Sequence, residues 1–317
     1  MKVATMLKYI LCAAILVLEG AASAGKKATA EPCERKCGDV DVPYPFGIDV
    51  PSCAKVEASP EFLLKCNRST GGSNSTAKLI VGKNIEVVGI SLEDATISVR
   101  IYSSYKCYDE SGPVPGRAFD QNIELGRSFT FSTAENKLVG LGCDTLAFMG
   151  DADGNFGSGC ISLCGEDVDL AKEDACSGLG CCQTSVPKHV KTLNITLLSE
   201  ADHVGILEFN PCDFALLVDL RTFNVSAMGL GFQPGDPAVE QASVLLDWVV
   251  GNGTCEDAKA NRTSYACGPN TECSYSDNAL GYRCNCAKGF RGNPYRNDLG
   301  VQGCLGTITK HHLLEKH

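Results

Sequence analysis

The chain has 317 residues, 19 cysteines and a formal net charge of −10, so it is long enough for two or three domains with real cores. Residues 33–130 hold 11 Lys and Arg against 13 Asp and Glu, whereas residues 131–317 hold 13 against 23. This acidic balance excludes nucleic acid as an expected partner, because the neutralisation of phosphates requires clustered positive charge. A basic patch for any other anionic ligand is therefore expected in the first region.

Residues 1–24 have the features of a secretory signal peptide. Lys2 and Lys8 make the start basic, residues 9–18 form a short apolar run, and residues 22–24 are a small-residue cleavage site, Ala-Ser-Ala. The apolar run is too short to span a bilayer, and no later apolar segment approaches that length. We therefore expect a soluble, secreted protein without a transmembrane segment.

The cysteine content agrees with export from the cell. Cys12 lies in the predicted signal peptide, which leaves an even 18 cysteines, and so dense a set in an exported chain predicts disulfides rather than metal ligation. We expect no metal site and no cofactor. Six Asn-x-Ser/Thr sequons predict N-glycosylation of a secreted protein. They begin at Asn67, Asn74, Asn194, Asn224, Asn252 and Asn261.

The stretch at residues 33–48 joins a Cys-x3-Cys pair to Val-Pro-Tyr-Pro-Phe-Gly-Ile. Its two prolines fix their own φ angles and restrict Val42 and Tyr44, which precede them, to extended geometry. Tyr44 and Phe46 are thus held on a stiff backbone. The two rings either fill the end of a β-rich core, which is the usual place for aromatic residues, or form a platform for a ligand.

The chain that follows is predicted to form a series of short strands. In residues 95–102, Ala, Ile, Val and Ile alternate with Thr, Ser, Arg and Tyr, which predicts a half-buried strand. Residues 191–197 alternate in the same way, and their polar face carries Asn194. Residues 229–237, with two prolines and three glycines, are the best candidate linker. Short strands, many turns and no long helical period predict an all-β, disulfide-rich fold.

Two clusters in the middle of the chain have some features of metal sites. Residues 150–159 are rich in Asp and Gly, but Phe156 and Ser162 stand where an EF-hand calcium loop requires Gly and Glu, so a surface turn is predicted. Cys181 and Cys182 are adjacent, and we expect them to bridge to two different partners. A zinc site would suit a reducing compartment better than the outside of the cell.

Six cysteines near the carboxyl end follow the most specific spacing in the chain. They lie within about fifty residues and include a Cys-x-Cys pair before Gly289-Phe290, a pattern that resembles an EGF-like module. Spacing alone leaves their pairing open. The pairing that the resemblance implies is Cys255–Cys273, Cys267–Cys284 and Cys286–Cys304. The acidic stretch of calcium-binding relatives is absent before the first cysteine, so we expect no calcium site here.

Four ordered motifs together resemble the ectodomain of plant wall-associated receptor kinases. They are the stretch at 33–48, Cys-Ser-Gly-Leu-Gly-Cys-Cys-Gln at 176–183, Leu-Leu-Asp-Trp at 245–248, and Cys-Asn-Cys-Ala-Lys-Gly-Phe-Arg-Gly-Asn-Pro-Tyr at 284–295. The implied segments are a signal peptide (1–24), a galacturonan-binding domain (33–130), a second cysteine-rich wall-associated segment (131–232), a linker and strand (233–250), the EGF-like module (251–304) and an unstructured tail (305–317).

Relatives of this kind normally continue into a membrane span and a cytoplasmic kinase. The sequence has no Val-Ala-Ile-Lys, His-Arg-Asp or Asp-Phe-Gly motif, so we expect no kinase activity from it. A hydrolase is also disfavoured, because Gly-x-Ser-x-Gly and His-Glu-x-x-His are absent and adjacent acids such as Glu166 and Asp167 point to opposite faces of an extended chain. We therefore predict a binding protein without enzyme activity.

The resemblance implies that the ligand is de-esterified pectin, or galacturonan, an acidic polysaccharide of the plant cell wall. Carboxylated sugars need cations, or calcium as a bridge, for their acids and flat apolar surfaces for their rings. The candidate ligand-binding residues are Arg35, Lys36, Tyr44, Phe46, Lys65, Arg68, Lys78 and Lys83. The basic ones would pair with carboxylates, and the aromatic ones would stack on sugars. The expected location is the cell wall, outside the cell, although family members are membrane-anchored.

A second function stays open at this point. The chain would then be a protein-recognition or decoy ectodomain whose partner is a membrane receptor or a secreted peptide. Polysaccharide binding through a few exposed charges should be weak and salt-sensitive, with affinity gained from many repeats engaged at once. The protein-recognition alternative instead predicts that the polymer binds no better to this chain than to an acidic control protein.

Overall fold

The structure is a computed structural model that describes residues 33–68, 77–165, 168, 176–225, 228–261, 265–295 and 302–306. The predicted signal peptide, the sequon at Asn74 and tail residues 307–317 lie outside the described residues. The chain divides into a unit of Met1–Cys33, of which only Cys33 is described, and a compact unit of Glu34–His317. All elements below belong to the second unit.

Short strands dominate the described residues, and this confirms the predicted all-β, disulfide-rich fold. Two single 3-10 turns are Pro51–Cys53 and Pro60–Phe62, and two short α-helices are Pro237–Glu240 and Cys255–Ala260. The strands are β1 (Lys36–Cys37), β2 (Val40–Asp41), β3 (Gly47–Ile48), β4 (Leu63–Asn67), β5 (Lys78–Val81), β6 (Ile85–Ser91), β7 (Thr96–Tyr102), β8 (Ser104–Asp109), β9 (Gly112–Phe119), β10 (Gln121–Glu124), β11 (Phe129–Phe131), β12 (Asn136–Leu141), β13 (Thr145–Gly150), β14 (Gly157–Ser162), β15 (Cys181–Ser185), β16 (Thr192–Leu198), β17 (Cys212–Asp219), β18 (Gln241–Trp248), β19 (Thr271–Tyr275), β20 (Tyr282–Cys286), β21 (Phe290–Arg291) and β22 (Leu305–Gly306).

Three sheets make up the body of the unit. A seven-stranded sheet has the order β11-β18-β7-β6-β5-β4-β3, a five-stranded sheet has the order β15-β12-β17-β8-β9, and a four-stranded sheet has the order β10-β16-β13-β14. The alternation in β7 buries Ile97 and Val99 and leaves Arg100 exposed. A period of two therefore turns one face of this sheet toward the core and the other toward solvent.

Strand β17 lies between two hydrophobic cores. Every residue of this strand is buried, and Leu217 packs into a core shared with the seven-stranded sheet while Leu216 and Val218 pack into a second core. That second core is completed by side chains such as Phe223 and Phe232 from the segment before the Pro237–Glu240 helix. The apolar run of β17 is continuous because both of its faces are covered.

The sheets cross the segment boundaries that the resemblance implies. Strand β8 precedes residue 130, yet it pairs with β17 from the second cysteine-rich segment. Strand β18, from residues 233–250, inserts between β7 and β11 of the first segment. The two predicted segments therefore share sheets, and residue 130 does not mark a boundary between one sheet and another.

The disulfides join both near and distant parts of the chain, with sequence separations from 5 to 105 residues. The pairs in the first part of the chain include Cys37–Cys66, Cys107–Cys212, Cys143–Cys164, Cys160–Cys182 and Cys176–Cys181. The adjacent Cys181 and Cys182 thus bridge to two different partners, as predicted. In residues 251–304, the predicted EGF-like module, the bridges are Cys255–Cys273, Cys267–Cys284 and Cys286–Cys304, the pairing that the resemblance implies.

An aromatic cluster joins the EGF-like module to the seven-stranded sheet. The fully buried ring of Trp248 lies 5.1 Å from Phe46 and 5.7 Å from Phe62, measured between centroids, and 5.4 Å from Tyr295 of the module. The loop that carries Phe46 fits here because Gly47 lacks a side chain: a Cβ at this position would lie 2.5 Å from the carbonyl of Cys53. The proline-aromatic loop therefore belongs to the core and helps to hold the module.

Candidate functional site

The outer face of the seven-stranded sheet carries a row of five residues, one from each of five neighbouring strands, of which two are exposed and three are partly buried. The strand register aligns them side by side across the sheet. They are Lys65, Ile80, Glu86, Arg100 and Ser243, and we call them the outer row. The backbones of Lys65 and Arg100 are three strand positions apart, which corresponds to about 14 Å.

The charges of the outer row are mostly positive and mostly unpaired. Lys78 Nζ lies 2.8 Å from Glu86 Oε2, so the single acid of the row already has a cationic partner. Lys65 and Arg100 are exposed and form no ion pair with any described residue. The neighbouring carboxylate of Glu86, opposite Arg100 in the register, is paired with Lys78 instead, so both side chains are available to an anionic ligand. Ile80, which is partly buried, provides apolar surface between the cations.

Aromatic side chains continue this face beyond Arg100. Tyr102 lies two residues further along β7, on the same side of the sheet, and its side chain is 53% exposed. It borders a depression of about 500 Å³ that Phe119, Pro234 and Glu240 also line. The ring of Tyr105 stacks on that of Phe119 with a centroid distance of 6.2 Å. The depression thus offers exposed aromatic surface next to the cationic row.

Among the predicted site residues, Arg35 and Arg68 already have partners inside the protein. Arg35 Nη1 donates a hydrogen bond of 2.7 Å to the carbonyl of Phe46, and burial lowers the pKa of Arg35. Arg68 forms ion pairs with Glu34 and with Asp49, and these raise its pKa. Both arginines stabilise the amino-terminal loops, and a ligand would have to displace those contacts.

The other predicted residues divide between the sheet and separate turns. Lys65 and Lys78 lie on the outer face described above. Lys36 Nζ is 3.9 Å from Asp41 within the β1–β2 hairpin, and Lys83 Nζ is 3.8 Å from Glu124 of another sheet. The eight predicted residues therefore do not form one cluster.

Of the two roles considered for Tyr44 and Phe46, core packing and a platform for a ligand, the structure shows core packing. Both side chains are buried, and Phe46 packs edge-on against Phe62 at 4.9 Å. They present no face to a sugar, so the stacking role proposed for them does not fit their position. The physical reason is long-range packing that the local sequence does not encode: Trp248 packs on Phe46, and Asn293 Nδ2 donates a hydrogen bond to the carbonyl of Tyr44.

Sequence reasoning missed Arg100, Tyr102 and Phe119 as site residues. The alternation in residues 95–102 places Arg100 and Tyr102 on the solvent face, so a signal for exposure was present. No local signal aligns them with Lys65, because that depends on the pairing of β4 to β7. The sequon at Asn67 also lies beside this face, since Asn67 pairs with Lys78 in the register.

Comparisons with known proteins agree with the resemblance. A family model described as "Wall-associated receptor kinase galacturonan-binding" matches residues 33–101. The chain is 34% identical to Wall-associated receptor kinase 2 of Arabidopsis thaliana over 286 residues, which are 90% of this chain and 36% of that protein. It is 33% identical to Wall-associated receptor kinase 1 of the same plant over 297 residues, with coverages of 90% and 37%. No solved structure is significantly similar.

The matched region is thus a minor part of these relatives, since the chain spans 36% of the length of the first of them. Within the described ranges, no helix has the length and hydrophobicity needed to cross a bilayer. The family model covers β1 to β7 and includes Lys65, Lys78 and Arg100. The chain belongs to the wall-associated receptor kinase family, and its residues 33–101 match that family's galacturonan-binding domain.

Proposed function

We propose that this chain is an extracellular, receptor-like binding protein that holds de-esterified pectin in the plant cell wall through the outer row of the seven-stranded sheet. The observation that carries the proposal is the presence of two exposed, unpaired cations, Lys65 and Arg100, on one face of the sheet within the residues that match the galacturonan-binding model. The assigned activity is binding of an acidic polysaccharide, and no catalytic role is assigned to any residue.

The chemistry of the face suits a polymer of carboxylated sugars. Arg100 can bind a carboxylate with two parallel hydrogen bonds, and Lys65 can act as a second point charge about 14 Å away. Each contact is exposed to water and salt, so each adds little by itself. A polymer engages many copies of its repeat at once, and the summed contacts give useful affinity. Calcium takes part only as a bridge between acidic sugars and the protein.

The aromatic depression beside Tyr102 supports a related role in sugar binding and also favours one alternative. Exposed Tyr102 and Phe119 can stack on the apolar faces of sugar rings. An aromatic-lined groove next to Pro234 is also the kind of surface that binds an extended, proline-rich peptide. The alternative function is therefore recognition of a secreted peptide or of a receptor segment through this depression.

Binding of the glycosylated chain to de-esterified and methyl-esterified pectin fragments tests the proposal. We expect saturable binding that favours the de-esterified form and that weakens steadily as salt is raised from low to physiological ionic strength, because exposed ion pairs are screened. The series is measured with and without calcium. Equal binding to both polymers, at the level of an acidic control protein, would exclude the proposed function and favour a peptide partner.

Charge reversal locates the binding face. The double variant Lys65→Glu and Arg100→Glu is expected to weaken binding of de-esterified fragments about tenfold, because two attractions are lost and two repulsions are added. The matched control is Lys259→Glu with Lys288→Glu, which changes net charge equally on exposed residues of the EGF-like module. An equal loss in both double variants would show that only net charge matters. Asn67→Gln, which removes a sequon beside Lys78, checks that a glycan does not cover the face.

A further inference from the structure

The outer face of the four-stranded sheet is unusually apolar for a solvent-exposed surface. Phe148 is 38% exposed, Ile161 55% and Leu198 51%. The register aligns Leu198, Leu146 and Ile161 in one row across β16, β13 and β14. Of these apolar side chains, Phe148 borders the depression described below.

Glycines leave a strip without side chains across the same face. Asn194 of β16 faces Gly150 of β13, which in turn faces Gly157 of β14. A Cβ at Gly157 would meet no heavy atom within 4 Å, so internal packing does not explain this glycine. Glycine within strands often marks a site where a ligand approaches the backbone closely.

The ring of Phe148 forms one wall of this strip. In the register Phe148 lies between Thr196 and Gly159, and a Cβ at Gly159 would be 2.6 Å from Phe148 Cδ1. The ring therefore lies against a glycine and keeps its position beside the strip. Together these residues border a shallow depression of about 520 Å³, which Asn194 and Thr196 also line.

Asn194 and Thr196 are the acceptor and the hydroxyl residue of one sequon, Asn-Ile-Thr. We propose that Asn194 carries an N-linked glycan whose first N-acetylglucosamine folds back into this depression and packs on Phe148. The covalent bond to Asn194 determines which group fills the depression, because a sugar bonded to this residue starts inside it. The inference requires the proposed extracellular location but does not require galacturonan binding.

The attachment and the packing both follow ordinary chemistry. Attachment forms a bond between Asn194 Nδ2 and C1 of the sugar, breaks the bond from C1 to the phosphate of a lipid-linked donor, and releases lipid diphosphate and a proton. The C–H face and the acetyl methyl group of N-acetylglucosamine then contact the aromatic ring, where dispersion and burial of apolar surface stabilise them. The strip between Gly150 and Gly157 leaves room for the second sugar.

A double-mutant cycle tests the inference with the full chain secreted from a eukaryotic host. Mass spectrometry should find Asn194 occupied, and Asn194→Gln should lower the melting temperature by about 2 °C. In a Phe148→Ala background, loss of the same sequon should lower the melting temperature by less than half as much, because the sugar no longer has an aromatic ring to pack on. Asn252→Gln removes an exposed sequon on a turn and serves as the matched control.

Two further measurements keep the test decisive if a variant folds poorly. Thr196→Ala abolishes the same sequon and should reproduce Asn194→Gln, whereas Thr196→Ser keeps it and should behave as the wild type. Enzymatic trimming of the wild-type glycan to its first sugar should preserve the melting temperature. An unoccupied Asn194, or a loss of stability that is equal with and without Phe148, would overturn the inference while leaving pectin binding to be judged separately.

Discussion

Replacing Trp248 with alanine is expected to lower the free energy of unfolding by about 3–5 kcal/mol, the usual range for a large buried aromatic residue. Trp248 is fully buried and contacts rings from three separate parts of the chain, Phe46, Phe62 and Tyr295. The cavity cannot close easily, because strand pairing holds its walls. Denaturant unfolding of the disulfide-intact chain, followed by circular dichroism, measures the change.

The milder substitution Trp248→Phe separates packing from hydrogen bonding. Trp248 Nε1 is buried and has no hydrogen-bond partner among the described residues, so phenylalanine removes volume without breaking a bond. We expect a smaller loss than for alanine. Leu280→Ala, at a mostly exposed side chain of the EGF-like module, is the control. A loss for Trp248→Ala no larger than for this control would contradict the proposed joining role of the cluster.

Asp213→Ala is expected to destabilise the fold by a similar amount, about 3–5 kcal/mol, because it removes one partner of a buried ionic pair. His203 Nε2 lies 2.9 Å from Asp213 Oδ2, and both side chains are fully buried. Thr145 Oγ1 donates to Asp213 Oδ1 at 2.6 Å. Gly142 makes room for this carboxylate, since a Cβ there would lie 2.1 Å from Oδ1. Asp277→Ala, at an exposed ion pair with Lys188, should change stability little.

The same pair predicts a dependence of stability on pH. Burial by itself lowers the pKa of His203, but the hydrogen bond and charge of Asp213, with the Asn210 carbonyl and the more distant Asp144, raise that pKa above its ordinary value. Tyr108 stacks on the imidazole at 4.0 Å and adds no charge. A histidine with a raised folded pKa stabilises the fold fully below the unfolded pKa of about 6.5 and loses this contribution as pH rises through the folded pKa.

We therefore expect the free energy of unfolding to fall as pH rises above about 6.5. This fall should be absent from His203→Gln, which cannot carry the charge. Chemical denaturation at closely spaced pH values between 5 and 9, on the order of one midpoint per half unit, checks it. The Asp213→Asn variant keeps the shape of the carboxylate and should also flatten the profile. If stability depends on pH in the same way in the wild type and in both variants, the His203–Asp213 pair is not the cause of that dependence.

Several features of the chain follow from its sequence alone because they depend on local pattern. The alternation in residues 95–102 predicts strand β7 and the exposure of Arg100, since a period of two is a property of any strand. The adjacency of Cys181 and Cys182 predicts two different disulfide partners, because bridge geometry favours separate positions for neighbouring cysteines. The all-β class follows from short strands, frequent turns and dense cysteines.

The tertiary structure decided which residues share a surface. Lys65 and Arg100 are 35 positions apart in the sequence, and only the pairing of β4 to β7 places them on one row. Phe46 is buried because Trp248, about two hundred residues later, packs on its ring. Likewise, Asn194 meets Phe148 and Gly150 only across a strand pair. Local sequence determines the two faces of each strand, whereas the choice of neighbouring strand depends on long-range packing that no local pattern records.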